Sequence, residues 1–326
     1  MIEINKKQIR IWSMLGLGRT FGSVLENLMD EDDKLVLSIS DTGKIIAYDS
    51  FKKKYPTRVM EVGIAEQNMI SASAGVANEG YDVFASSYST FITSRALDQI
   101  RVNMGMMQIP LKLVGIGGGL ADGSLSATHM AIEDESNLRS VPGITVIVPA
   151  DGLELVKTLF AVLHYDKPVY IKLTGENHSP IIYKDDFAFE IGKANELRSG
   201  EDIAILANGV ILEKVLKAAT KLEDDGISCS VIDMHTVTPI DEAMLHKIKN
   251  MKMIVTVEEH CVRGGLGSAV AEWYADKKES PVQITIGVDK DRYPLACEYD
   301  ELLHECGLDV ESIVNRIKNG FLSVID

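Results

Sequence analysis

Short apolar runs alternate along the chain with longer segments in which apolar residues recur at helical spacing. This rhythm predicts βα units and a parallel sheet. In the first half the predicted strands are KLVLSIS, ending at Asp41, then DVFASS (82–87), LKLVGIG (111–117), ITVIV and VYIKL (169–173). Between them the pattern predicts a helix after Gly63 rich in small residues, a continuous helix over 89–107 and a short helix near 133–140. Asp151 is placed to cap a further helix, whose apolar stripe is Leu155, Val156, Leu159, Phe160 and Leu163. Residues 175–200 are polar and irregular, which marks a domain boundary. The second half repeats the alternation, with strands DIAILA, ISCSVIDM, MIVTVEE and VQITIG and helices at about 210–224, 239–249 and 266–277. Gly226 is the expected stop of the first of these helices.

Composition narrows the class. A chain of 326 residues fits two domains, and 46% apolar with 25% charged residues excludes disorder and low complexity. The 33 basic against 48 acidic side chains leave a net charge of −15, which repels nucleic acid and anionic membrane. Cysteines stand at 229, 261, 297 and 306 without a C-x-x-C pair, which argues against a zinc ribbon and suits a reducing cytosol. MIEINKKQIRIW carries no signal-peptide pattern, and no apolar stretch reaches the length of about eighteen residues that a membrane helix needs. A cytoplasmic location is therefore expected. Phosphate-loop, dinucleotide, nucleophile-elbow and zinc-helix motifs are all absent. No metal ligand is assigned.

One carboxylate stands out. In EVGIAEQNM, Glu66 falls at a strand-to-helix turn among Val62, Ile64, Met69 and Ile70. As a first-turn helix residue it is favoured by the macrodipole, and this is the simpler reading of the window. Buried, it would instead be primed to share a proton with a ligand nitrogen. The glycine cluster RGGLGSAVAEW (264, 265, 267) reads as a structural turn ahead of an anion loop. Glu258 and Glu259 read as strand-end acids, His260 as a solvated or packing histidine, and Asp30–Asp33 as a solvated acidic run. Met106 and Met107 read as core or interface packing.

EVGIAEQN, SSYSTFITSRALDQI and a loop ending ATH before AIEDESNLRSVPGITVIVPAD occur in an order and at spacings that resemble the pyrimidine-binding domain of transketolases. 1-Deoxyxylulose-5-phosphate synthase and the beta subunits of 2-oxo-acid dehydrogenases share that domain. From about residue 190, with VTVEEHCVRGGLGSAVAEW, the chain resembles the transketolase C-terminal domain. The resemblance implies an α/β fold: a parallel-sheet pyrimidine-binding domain over 1–180, then a smaller α/β C-terminal domain over 190–326.

It also implies chemistry. Thiamine diphosphate would lie between domains, with Glu66 matching the acid that meets N1′ of the aminopyrimidine and thereby favours loss of the thiazolium C2 proton. Phe91, and less directly Tyr88, match rings beside the pyrimidine. His129 matches a histidine near the reacting carbon. Arg19, Asp41 and Asp122 match substrate contacts, although DGSLSATH is longer than the family's DGPTH and lacks its proline. Gly175 stands where an arginine would grip a sugar phosphate, and Lys172 cannot supply its bidentate fork. No GDG motif for diphosphate and Mg²⁺ is present. The resemblance therefore implies the C-terminal half of a split enzyme, transferring a two-carbon ketol unit between sugars. Mg²⁺ would be held mainly by a separate N-terminal subunit, and this chain would form a dimer within a heterotetramer. The alternatives are a deoxyxylulose-phosphate-synthase-like enzyme, a 2-oxo-acid dehydrogenase beta chain and a non-catalytic dimerising scaffold.

Overall fold

A computed structural model describes residues 2–278, 280–289 and 291–325. The first half runs α1 (Lys6–Glu31), β1 (Leu35–Ile39), α2 (Tyr48–Lys54), β2 (Val59–Glu61), α3 (Glu66–Asn78) and β3 (Asp82–Tyr88). After an irregular helical segment containing α4 (Leu97–Ile100) come β4 (Lys112–Gly118), α5 (Asp134–Arg139), β5 (Thr145–Ile147), α6 (Gly152–Val162) and β6 (Val169–Thr174). The second half runs β7 (Asn195–Arg198), β8 (Ile203–Ala207), α7 (Leu212–Asp224), β9 (Cys229–Asp233), β10 (Thr236–Thr238), α8 (Glu242–Ile248) and β11 (Met253–Cys261). It closes with α9 (Leu266–Tyr274), β12 (Val282–Val288), α10 (Tyr299–Glu305) and α11 (Val310–Ile325).

Side chains alternate across each strand, so both faces of a buried strand need cover. In β1, Leu35, Leu37 and Ile39 join α1, α2 and α6 in one core, while Val36 faces α3 and the 91–106 segment in another. The first sheet has the order β10-β5-β6-β4-β3-β1-β2 and is parallel except where β10, from the second half, pairs antiparallel with β5. The second sheet, β12-β11-β8-β9-β7, is parallel except for β7. Helices α7, α10 and α11 cover one face of it, and α8 and α9 cover the other.

Local signals explain several ends. Asp151 caps α6, accepting from the N–H of Glu154 at 2.8 Å, and its other oxygen takes the N–H groups of Ile182 and Tyr183. Gly226, at φ +82°, closes α7: its N–H meets the Glu223 carbonyl and that of Ile227 meets Leu222, both at 2.9 Å.

Some expectations need correction. The 89–107 segment is not one α-helix; Phe91–Arg95 and Arg101–Met106 are π-helical on either side of α4. Thr93 Oγ1 donates to the Ser89 carbonyl at 2.7 Å, competing for an acceptor of the regular helical ladder, and the turn widens there. Phe160 lies 38% exposed, outside the buried stripe of α6. Met106 and Met107 are 74% and 54% exposed and so are not core. The Asp30–Asp33 run is partly structured: Asp30 belongs to α1 and accepts from Tyr55 Oη at 2.7 Å. Helices α10 and α11 were not expected, although Ile313, Val314, Ile317 and Phe321 recur at helical spacing.

Where the halves meet, Glu154 of α6 and Asp233 of β9 are buried together, and Tyr183 Oη donates to Asp233 at 2.6 Å. Among the described residues Glu154 Oε1 and Asp233 Oδ1 have no other hydrogen-bond donor, the arrangement expected of two carboxyl groups sharing a proton. Burial pushes Asp233 up to about 7, and burial together with the Asp233 charge pushes Glu154 well above the ordinary carboxylate range. The folded chain thus holds a proton that the unfolded chain has released, and stability falls as pH rises from the unfolded carboxylate range, about 4, to about 7. Melting temperatures measured from pH 5 to 8 should decline, and Asp233→Asn should flatten the decline relative to wild type. An unchanged slope in the variant would contradict the shared proton.

Candidate functional site

The site is built at the carboxyl ends of the first sheet's strands, where open parallel sheets present ligand sites. Gly63, at φ +68°, turns the chain from β2 toward α3. Ser40, just past β1, fastens that turn, its Oγ donating to the Gly63 carbonyl at 2.7 Å. Glu66 is the first residue of α3, and its side chain is fully buried. Both expectations therefore meet in one residue: it sits at a helix N-terminus and it is buried. Oε2 accepts from Arg95 Nη1 at 2.7 Å, whereas among the described residues Oε1 has only the Ser87 hydroxyl, at 3.4 Å.

Arg95 was not singled out from the sequence. It lies in the SRALDQI string four residues past Phe91, and the π-helical turn lays its guanidinium 4.3 Å from the Phe91 ring centroid. Tyr88 ends β3, and with Phe91 and His129 it forms a triangle of edge-on rings. Tyr88 to Phe91 is 6.0 Å, Tyr88 to His129 is 5.5 Å and Phe91 to His129 is 5.1 Å. His129 Nδ1 lies 3.1 Å from Thr128 Oγ1.

Asp122 belongs to the same group. Its carboxylate lies against Gly117, at φ +69°, where an added Cβ would sit 1.8 Å from Oδ2. Burial raises the pKa of Asp122, and the nearby His129 charge works against the rise. Asp41, itself at φ +63° and exposed, lies close enough that, after burial and Asp122, its charge helps raise the Tyr88 phenol. Glu66, Tyr88, Phe91, Asp122, His129 and Asp41 are thus brought to one place. Arg19 is exposed on α1, and among the described residues no hydrogen bond or ion pair joins it to the others.

Lys172 is not available to a ligand. It is fully buried, with Nζ 2.9 Å from both Asp134 Oδ1 and Glu135 Oε1 and 3.2 Å from the Glu259 carbonyl. Gly175 lies at φ +76°, and an added Cβ would meet Val210 at 3.1 Å. The glycine turn before α9 is structural, and it already holds an anion-type group. Glu258 accepts from the N–H groups of Leu266 and Gly267 at 2.7 and 2.8 Å, taking the helix terminus for itself. Glu258 and Glu259 lie near the end of β11, which runs on to Cys261, and both are buried; His260 is buried too, so of its two readings packing holds and solvation does not. Asp32, Asp82 and His164 cluster at the opposite end of the sheet, and there Lys112 Nζ already pairs with Asp82 Oδ1 at 2.6 Å.

The family model for the transketolase pyrimidine binding domain matches residues 14–179, and that for the transketolase C-terminal domain matches residues 192–313. The chain belongs to the transketolase family. It is similar to a putative transketolase C-terminal section of Methanocaldococcus jannaschii, 36% identical over 93% of this chain and 95% of that one. It is likewise similar to an apulose-4-phosphate transketolase subunit of Phocaeicola vulgatus, 34% identical over 92% of this chain and 96% of that one. It spans about half of the 1-deoxy-D-xylulose-5-phosphate synthase of Syntrophotalea carbinolica, at 32% identity over 92% of this chain and 47% of that protein. Among solved structures, a split-gene transketolase described as an inactive β4 tetramer superposes with a TM-score of 0.83 at 32% identity, covering 94% of this chain and 98% of the other.

Transketolases are thiamine-diphosphate-dependent transferases, and the donor set here fits an aminopyrimidine. Among the described residues a buried carboxylate keeps one oxygen with only a long hydroxyl contact, and a half-buried aromatic ring lies against the arginine that holds its other oxygen. The Glu66–Arg95 pair itself can be tested in this transketolase-family chain. Arg95→Ala leaves a buried carboxylate without its charged donor and should cost about 1–3 kcal/mol in denaturant unfolding. Adding Glu66→Gln should recover most of that loss. If the double variant were as unstable as the sum of the singles, the pair would not be energetically coupled.

Proposed function

We propose that this chain is the C-terminal subunit of a split transketolase, active with a separate N-terminal subunit and transferring a two-carbon ketol unit between sugars. The observation that carries the reading is Glu66: a fully buried acid at a helix start, one oxygen held by Arg95 and the other close only to a hydroxyl. Its Oε1 would meet N1′ of the coenzyme's aminopyrimidine, with Phe91, and with it Tyr88, against the ring. Bound there, thiamine diphosphate supplies a carbanion and an electron sink at the ketose carbonyl. His129 would hydrogen-bond the substrate oxygen at the reacting carbon. Asp122, Asp41 and Arg19 would contact the rest of the sugar. Mg²⁺ and the diphosphate fall to the partner, since no GDG motif occurs here.

Relatives named as a C-terminal section and as one subunit of a transketolase support the split reading, as does a split-gene relative that is inactive as a β4 tetramer. A dimer of this chain within an α₂β₂ assembly, located in the cytoplasm, is part of the same proposal. No helix among the described residues is long and apolar enough to cross a membrane. A second reading is favoured by the similarity to 1-deoxy-D-xylulose-5-phosphate synthase: deoxyketose formation from pyruvate.

The test is reconstitution. The chain alone should be inactive and bind thiamine diphosphate weakly; a frame carrying GDG and a downstream Asn should restore both properties. Full activity of the isolated chain would defeat the split reading, and pyruvate-dependent product would select the second one. In the reconstituted pair Glu66→Gln should lower kcat by at least about 10²-fold; near-normal turnover would favour a scaffold.

Lys172 is locked in its ion pairs and Gly175 offers no side chain, so the chain holds no arginine fork at that point. Catalytic efficiency on free and phosphorylated acceptors should therefore be similar, within about tenfold (about 1.4 kcal/mol). A larger phosphate preference in steady-state kinetics would show that the grip is rebuilt elsewhere.

A further inference from the structure

Asp122 and His129 both project from the segment 119–131. Gly119 and Ala131 pin its two ends, exchanging both N–H···O bonds at 3.0 Å. The segment belongs in sequence to the first domain, but its two large buried apolar residues do not pack there. Leu120 and Met130, both fully buried, lie in the core of the second domain, together with Ile205, Val255 and Leu302.

Polar contacts repeat the pattern. Glu259, at the end of β11, packs so closely on Gly119 that an added Cβ would meet its Cβ at 2.8 Å, its carbonyl at 2.9 Å and its Oε2 at 3.0 Å. Its carboxylate is buried and accepts from Tyr299 Oη of α10 at 2.7 Å. Two residues on, the Cys261 N–H donates to the Ile132 carbonyl at 2.8 Å. One turn further along α10, Leu302 covers Gly123, where a Cβ would fall 1.8 Å from Leu302 Cδ1. Helix α10 and the end of β11 therefore form a shelf, and the loop lies on it with its two chemically active side chains turned toward Tyr88 and Phe91.

We propose that the C-terminal domain takes part in the reaction through this shelf, with Tyr299 and Glu259 as positioning residues that fix Asp122 and His129 against the aromatic rings. The proposal rests on the reading of that cluster as the substrate site. Neither Tyr299 nor Glu259 touches it; each acts through the loop. A carboxylate buried beside a glycine backbone tolerates little movement, since losing its donor leaves an unpaired acid in the domain junction.

Tyr299→Phe removes one hydroxyl and keeps the ring and the Leu302 packing. Amide hydrogen exchange on the full chain alone should show Gly119 and Ala131 exchanging at least about tenfold faster in the variant, with α6 unchanged. In the reconstituted pair the variant should raise KM for the sugar about three- to tenfold, about 0.7–1.4 kcal/mol, while its affinity for thiamine diphosphate stays at the wild-type value. Unchanged exchange at Gly119 and Ala131 would overturn the proposal, and so would faster exchange without any change in KM or kcat. If the wild-type pair shows no ketol transfer, the functional reading fails instead, and the exchange experiment still decides whether the shelf holds the loop.

Discussion

A buried ammonium group joins the two domains, and the architecture of the site depends on it. Lys172 leaves β6 inside the protein and directs its donors to Asp134, Glu135 and the carbonyl of Glu259. Taking such an ion out of water costs several kcal/mol unless its partners are all in place. Burial pulls its pKa down, but Asp134 and Glu135 outweigh that and hold it above its ordinary value. Tyr170, two residues earlier on the same face of the strand, donates to the free oxygen of Asp134 at 2.7 Å. Three stretches distant in sequence, EDES, YIKL and EEH, meet in one joint arrangement that gives the Lys172 ammonium all three of its acceptors. That arrangement fixes where the second domain stands under the first.

The repeating alternation of apolar runs was enough to read most strands of both sheets, because strands buried on two faces are nearly all apolar and leave a strong mark; β2, β7 and β10, edge strands of three or four residues, left none. The ordered strings around Glu66, Tyr88, Phe91 and His129 were readable for a different reason: their residue types recur together with fixed spacing. What escaped the sequence depends on tertiary closure. The π-helical turn at 91–95 arises where Thr93 competes for a backbone carbonyl, and helical periodicity alone does not register such competition. Arg95 is an ordinary surface residue by pattern; only the widened turn lays it on Phe91 and against Glu66. Helix α10 is only seven residues long and follows a polar stretch, which hides it; α11 carries a clear stripe in Ile313, Val314, Ile317 and Phe321 that went unread, although both helices complete the second core.

Glycines in this chain mark close approach more often than mobility. Gly117 makes room for Asp122, Gly119 for Glu259 and Gly123 for Leu302, so the GIGGGLADG string is dense packing written in sequence. Close approach to a glycine backbone is met here by protein side chains. Glu258 does the equivalent at the glycine turn before α9, where its carboxylate occupies the helix terminus.

Strand β10 carries a consequence for how the molecule can be divided. Thr236 and Thr238 pair with Ile147 and Val146, so the last ribbon of the first sheet is supplied from beyond the linker. A fragment ending near residue 180 would keep its own core yet present β5 as a bare edge, the kind of surface that recruits strands from other molecules. The domains are distinct in topology but not severable. A cut through the irregular linker would separate two hydrophobic interiors without yielding two finished proteins.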